Sequence, residues 1–160
     1  MKKPYILLLV ILVVSCSSYG HRKLRLKENT SFIYFTVNYD GLGGICFHLF
    51  NDSGTFEEVC AGEGVSASST VIEADKIYLL KRIRFYSGEF VIAKPMVLPP
   101  VRAGAVAFGG TINVTKQGSE FTLNTSRSDY EFQQSKHLLK EKYPDIENNF
   151  MFKNLYQEED

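Results

Sequence analysis

Four side chains in one short stretch offer the most chemistry: Cys46, His48, Glu58 and Cys60. The residues between the two halves, Asn51-Asp52-Ser53-Gly54-Thr55, have the composition of a tight turn. Folding the flanking segments about Ser53 sets Phe50 opposite Phe56, His48 opposite Glu58 and Cys46 opposite Cys60. Directly opposed residues of an antiparallel pair hold their Cβ atoms about 4.5–5.5 Å apart, close to disulfide range after modest adjustment. The same register puts all four side chains on one strand face. Two thiolates, an imidazole and a carboxylate are donors that suit zinc or copper. Three states stay open on these residues: a Cys46–Cys60 disulfide, two buried thiols, or a metal site built from Cys46, His48, Glu58 and Cys60. Neighbouring strand positions constrain a tetrahedral site, and oxidation removes the thiolates. A thioredoxin-like role lacks its C-x-x-C motif.

Other constellations offer less. The chain has no G-x-S-x-G elbow for a serine nucleophile. Glu57 and Glu58, with Glu63 nearby, look like paired carboxylates, but adjacent strand residues point to opposite faces and cannot share a glycosidase site. His21 lies in the N-terminal segment and His137 follows Lys136 in a helical stretch, each without a nucleophile. Gly41-Leu42-Gly43-Gly44 leads into a strand and not a helix N-terminus, which marks a turn and not a phosphate cradle. Arg82 and Arg84 alternate onto one face with Tyr78 and Tyr86, with Leu79, Ile83 and Phe85 behind them. Such a face binds sugars or anions in some proteins, and here it reads as the wet side of an antiparallel sheet. The Asn-x-Ser/Thr matches at Asn29, Asn51, Asn113 and Asn124 matter only in a eukaryotic secretory chain. A hydrolase accessory would have to build its site from loops 61–70 and 94–104.

The elements that position these groups are mostly strands. The 160 residues are 44% hydrophobic and 22% charged, which excludes wholesale disorder and suits one domain. Charge is balanced at 18 basic and 18 acidic residues, without the basic excess of a nucleic-acid binder. Period-2 patterns predict strands over Phe32–Val37, Ile45–Phe50 and Phe56–Cys60. Ala61 to Ser69 is small and Gly/Ser-rich and reads as a loop before a short Val71-Ile72 strand. Lys76 to Tyr86 reads as a long strand, turning at Ser87-Gly88 into Glu89–Ile92. Lys94 to Pro100 carries three prolines, which lack ladder donors, and is expected not to pair regularly. Gly104 to Thr115 is strand-like, with a bulge or bend at Gly109-Gly110. Glu120 to Asn124 follows a Gly118 turn. About seven to nine short strands, with turns about every 8–12 residues, predict a mainly β chain: an antiparallel β-sandwich, Ig-like in layout. The immunoglobulin Cys–Trp–Cys signature is absent, because the chain has no Trp.

After residue 126 the period changes. Ser128 and Glu131 form a capping-box pattern. It opens a helix over 129–142, with Phe132, Leu138 and Leu139 facing inward. Tyr143-Pro144 stops it. Asp145 is placed to cap a second helix over 146–156, with Ile146, Phe150 and Leu155 as contacts. These helices are expected to cover a sheet edge or end. The organisation is therefore a β-sandwich domain over 31–126 and a C-terminal helical extension over 127–160.

Val101 to Val114 reads VRAGAVAFGGTINV. This segment resembles a pattern in uncharacterised bacterial envelope lipoproteins: a glycine, a strand with an aromatic, then Gly and a hydroxyl before an alternating strand. Their domains look like transthyretin-type or carboxypeptidase-regulatory-type sandwiches, so the resemblance implies that fold and no activity.

The N-terminus carries an address. Lys2 and Lys3 precede the apolar run Ile6 to Val14, which is too short to cross a bilayer needing about 20 helical residues. Small residues follow, as in a signal peptide. Val13-Val14-Ser15-Cys16 resembles the lipobox of bacterial lipoproteins. That resemblance implies cleavage before Cys16, a diacylglyceryl group on its thiol and an N-acyl group on its amine, with no other cofactor. It makes 1–15 a signal peptide and 16–30 a lipidated tether. Each buried CH₂ adds about 0.8 kcal/mol of membrane affinity, so several chains anchor durably. Ser17 after the cysteine favours the outer membrane by the same resemblance. Arg22, Lys23, Arg25 and Lys27 form a small basic cluster, read as a solvated linker able to touch anionic head groups. With Cys16 lipidated, Cys46 and Cys60 remain as an even pair in a compartment that permits oxidation. The expected function is a lipid-anchored, non-enzymatic envelope protein that binds or scaffolds an envelope partner. The alternative is a metal-binding or redox envelope protein using Cys46, His48 and Cys60.

Overall fold

The structure is a computed structural model that describes residues 24–118, 120–150 and 152–155, with residue 148 described in its backbone alone. The lipobox with Cys16, the signal segment, His21, Arg22 and Lys23 lie outside the described residues.

The chain is mainly β. Its elements are β1 (Thr30–Tyr39), β2 (Ile45–Asn51), β3 (Phe56–Ala61), β4 (Gly64–Glu73), β5 (Tyr78–Phe85), β6 (Gly88–Leu98), β7 (Val106–Gln117) and β8 (Glu120–Ser126). Helices α1 (Asp129–Lys142) and α2 (Ile146–Asn149) follow, and a short β9 (Phe152–Asn154) ends the described chain. Two sheets form. One has the order β4-β1-β7-β8, with β9 also paired to β7, and the other has the order β3-β2-β5-β6.

The two inner faces share one core. Alternation in β1 sends Ile33, Phe35 and Val37 inward, where they join Phe47, Leu49, Val59, Leu80 and Ile83 of the other sheet in a single apolar cluster. The opposite face of β1 presents Phe32 and Tyr34. These pack with Phe108 of β7 and with Phe132, Leu139 and Ile146 of the helical segment. Strands β1 and β7 are therefore buried on both faces, which is why they read as near-continuous apolar runs. Helix α1 lies on the face of this sheet, and not at an edge or end as expected. Tyr34 explains its position. Its ring packs on Phe108 at 5.4 Å between centroids, and its hydroxyl meets the buried Ser135 Oγ at 3.3 Å. Burial pushes the Tyr34 phenol well above its ordinary range, with smaller contributions from the Ser135 hydrogen bond, which lowers it, and the Glu147 charge, which raises it.

Several expectations need correction. The first sheet is mixed: β1 pairs with β7 in parallel, Phe32 to Val106 through Tyr39 to Val114, and β9 also runs parallel to β7. A parallel pair needs a long connection, and β2 to β6 supply it. The Gly/Ser-rich segment expected as a loop is the strand β4, laddered antiparallel to β1 from Gly64 to Glu73. Its small side chains carry little apolar signal, and β1 supplies the partner groups for its backbone. The proline segment pairs in part. Ile92 to Pro95 leave the ladder, but Met96, Val97 and Leu98 pair with Leu80, Leu79 and Tyr78, because β6 is an edge strand with one side free of ladder bonds. The hairpin turn is Tyr86-Ser87, with Gly88 already paired to Phe85. The helix expected over 146–156 stops at Asn149, and Phe152–Asn154 joins the first sheet, so the C-terminal segment is not a purely helical extension.

The Gly109-Gly110 bulge forms as expected. Tyr34 pairs with Phe108 and Thr36 with Thr111, which leaves both glycines opposite Phe35. Gly110 has φ 112°, and any Cβ on Gly109 would overlap the Phe35 ring. Helix α1 begins and ends where expected, at Asp129 and Lys142. Ser128 Oγ accepts from the Glu131 amide at 3.2 Å, and the Ser128 amide donates to Glu131 Oε2 at 2.9 Å. Ser126 Oγ also donates to the Glu131 carboxylate. Partial burial alone would raise the Glu131 pKa. The hydrogen bonds from Ser126, Ser128 and Thr111 outweigh it and hold the carboxyl below the ordinary value of 4.5. A depressed carboxylate contributes stability that is fully present above its unfolded pKa and is lost as pH falls through the lower folded value. Glu131→Gln should therefore reduce the loss of thermal stability between about pH 5 and pH 3. Melting temperatures across that window check this, and parallel profiles for variant and parent would overturn it.

Candidate functional site

The outer face of the β3-β2-β5-β6 sheet carries the groups that the sequence singles out. Asn51 shapes the turn that starts it: its Oδ1 accepts from the Ser53 amide at 3.1 Å and the Thr55 amide at 3.2 Å. This local cage sets the hairpin register, and β2 pairs with β3 as Phe50 to Phe56, His48 to Glu58 and Cys46 to Cys60. Inward positions Ile45, Phe47 and Leu49 join the core, so Cys46, His48 and Phe50 face out. The two sulfurs are bonded, with Cα atoms 4.0 Å apart. Of the three states open in the sequence, the structure holds the disulfide.

His48 sits on this outer face yet is only 5% exposed. Its ring stacks on Phe56 at 4.6 Å, and Phe56 in turn packs against Phe50 at 5.2 Å. His48 Nε2 donates to Glu58 Oε1 at 3.1 Å, and its Nδ1 lies 3.9 Å from Glu89 Oε1. Two arginines close the array. Arg84 Nη2 donates to Glu58 Oε1 at 2.6 Å, and Arg82 Nη1 donates to Glu89 Oε1 at 2.8 Å. Arg82 also stands over the Phe50 ring at 5.2 Å. The imidazole is thus walled by rings and by two acid–arginine pairs. Glu58 Oε and both sulfurs lie within 4.8 Å of one another.

The strand face of the arginines differs from expectation. Tyr78 is buried in the core while Arg82 and Arg84 face out. A register break at Lys81 causes this: Leu49 pairs with Leu80, but His48 pairs with Arg82. One extra residue flips every side chain beyond it to the other face. Leu79 therefore faces out, beside Val97, and not inward with Ile83 and Phe85. Glu89 was not foreseen in the sequence. Its signal is the turn: placing the two loop residues at Tyr86-Ser87 sets Glu89 opposite Arg84, whereas a turn at Ser87-Gly88 does not.

The remaining candidates are scattered. Glu57 points away from Glu58, and its carboxyl is raised above the ordinary range by partial burial first and the Glu73 charge second. Glu63 Oε1 accepts from the Gly43 amide at 2.9 Å, so the glycine-rich segment is a tied turn. His137 lies on α1, 3.6 Å from Glu141, in an exposed helical pair. Segment 61–70 is largely strand, whereas in 94–104 β6 ends at Leu98 and residues 99–104 form the connection to β7. A cleft of about 510 Å³ does open between β6 and β8, lined by Leu80, Ile92, Lys94, Met96, Leu123 and Arg127 among others. Its lining carries the cations Lys94 and Arg127 and, among the described residues, no carboxylate, imidazole or thiol beside them.

Around the array the same face exposes large apolar side chains: Phe56 is 50%, Val91 66% and Val97 53% exposed. No helix among the described residues is long and apolar enough to cross a membrane. No protein-family model matches this chain, and no curated protein shows significant similarity to it.

Proposed function

We propose that this chain is a lipid-anchored bacterial envelope protein with a non-enzymatic binding or scaffolding role, and that the β3-β2-β5-β6 outer face is its recognition surface. We read the two sheets over one core as a β-sandwich of transthyretin-like or Ig-like kind. The observation that carries the proposal is the contrast between the two outer faces. One is covered by α1, and the other has no covering element among the described residues, with Phe56, Val91 and Val97 exposed around a preset array of Arg, Glu and His. Apolar residues grouped beside fixed charges on an open face suit a protein partner. Exposed ion pairs contribute little to stability, so packing energy does not account for this array. The anchor in this proposal is Cys16, in the outer membrane, and the partner is another envelope protein or an outward-facing host molecule.

Two measurements test it. An intact mass of the protein extracted in detergent from its own membrane, without reductant, should equal residues 16–160 plus diacylglyceryl and acyl groups, less two hydrogens. Cys16→Ala should move the chain out of the membrane fraction. A mass without lipid removes the anchor. Separately, a photo-crosslinker at Phe56 or Val91 in intact cells should give discrete adducts that one at Tyr130, on α1, does not. Equal labelling at all three positions removes the recognition face.

A further inference from the structure

We infer that the Cys46–Cys60 disulfide masks a site for one thiophilic divalent cation, opened when an external dithiol reduces it. The inference goes beyond the recognition surface proposed above and does not depend on the lipid at Cys16. The dithiol supplies two electrons and two protons. Its own S–S bond forms, the Cys46–Cys60 bond breaks, and both cysteines become thiols. The cation then binds the two thiolates and releases those two protons.

The geometry for this is in place before reduction. Cys46 and Cys60 are cross-strand partners with Cα atoms 4.0 Å apart, held by a ladder that continues on both sides of them. Zinc holds thiolates at about 2.3 Å, so two sulfurs on one ion stand about 3.8 Å apart, a small separation for side chains already bonded to each other. Glu58 supplies the third donor, its carboxylate within 4.8 Å of both sulfurs. His48 orients that carboxylate through its Nε2 bond at 3.1 Å, and its own ring is pinned by Phe56 at 4.6 Å. Buried partners that hold a ligating carboxylate are common in metal sites. In the disulfide form, Arg84 neutralises Glu58. Reduction and deprotonation add two negative charges beside that pair, and the cation replaces the guanidinium as the counter-charge. Arg84 is free to withdraw because its side chain is half exposed. Three protein donors leave a fourth position open to water or to a group from a partner. Cysteine ligands select zinc-like ions over magnesium or calcium.

The test uses the full chain in detergent, reduced with a metal-free dithiol and then exchanged into reductant-free buffer without oxygen. Titration with Co(II) should give one thiolate-to-cobalt charge-transfer signal per chain, displaced by Zn(II). The oxidised chain and Cys46→Ser/Cys60→Ser should give none. His48→Phe, which leaves all three donors, should weaken binding by about 10- to 100-fold. Glu58→Gln should remove the third donor while leaving the oxidised chain's far-ultraviolet spectrum unchanged. The inference is overturned if the reduced chain gives no charge-transfer signal, if Glu58→Gln binds as tightly as the parent, or if the reduced chain loses its β spectrum before taking up the ion.

Discussion

Phe35→Ala should lower the unfolding free energy by about 3–5 kcal/mol, the cost of emptying a large buried ring position. Phe35 is fully buried and lies where β1 crosses the β7 bulge. Its ring occupies the space that a side chain at position 109 would need. Gly109→Ala, which adds one methyl group, should therefore cost about 1–3 kcal/mol by overpacking. The two effects share one volume, so they should not add. In the Phe35→Ala background most of the Gly109→Ala penalty should disappear. Urea unfolding of the four chains measures the coupling. An equal penalty for Gly109→Ala in both backgrounds would show that the glycine is needed for its backbone and not for the ring. Gly110 is the contrasting case, since its φ of 112° makes any side chain there strained whatever the space.

The second large effect belongs to the disulfide. Cys46 and Cys60 are separated by 14 in sequence, so the bond closes a short loop. In the chain-entropy model a loop of about 15 residues is worth about 3 kcal/mol. Cys46→Ala/Cys60→Ala should lower stability by about that amount. A dithiol should lower the parent by a similar amount and leave the double variant unchanged. Domains are typically stable by about 5–15 kcal/mol, so the reduced chain is expected to stay folded, as the cation site requires. An unfolding midpoint that ignores reductant in the parent would show that the bond is not formed, or that the hairpin is held by its ladder and turn alone.

Short-range chemistry accounts for what was legible in the residues. The Asn51–Thr55 turn is a local cage, and it alone places His48 opposite Glu58 and Cys46 opposite Cys60. Ser128 and Glu131 are three residues apart and start α1 without help from the rest of the fold. Gly109-Gly110 announces its bulge because adjacent glycines inside a strand pattern mark one. The turn and the cap rest on contacts within a few residues, whereas the bulge is completed by Phe35 of β1.

The outer face of the β3-β2-β5-β6 sheet needed more. Lys81 decides which way Arg82 and Arg84 point, and the adjacent charges Lys81-Arg82 are the mark it leaves in the segment. The alternation from Tyr78 to Tyr86 is interrupted at Leu79-Leu80 and Lys81-Arg82, and the ladder breaks there, where β5 must match β2 on one side and β6 on the other. Strand β4 is similar: Ser66, Ala67, Ser68 and Ser69 have little strand preference of their own, and the open edge of β1 supplies their partners. Strand β9 and the parallel β1–β7 pairing join residues far apart in the chain. The sequence by itself determined the Asn51–Thr55 turn, the Ser128–Glu131 cap and the hairpin register that sets Cys46 opposite Cys60, because those depend on neighbours. Only the tertiary structure decided which face of each strand meets the core, which face α1 covers and which lies open. Those outcomes depend on burial and on ladder partners that no local pattern contains.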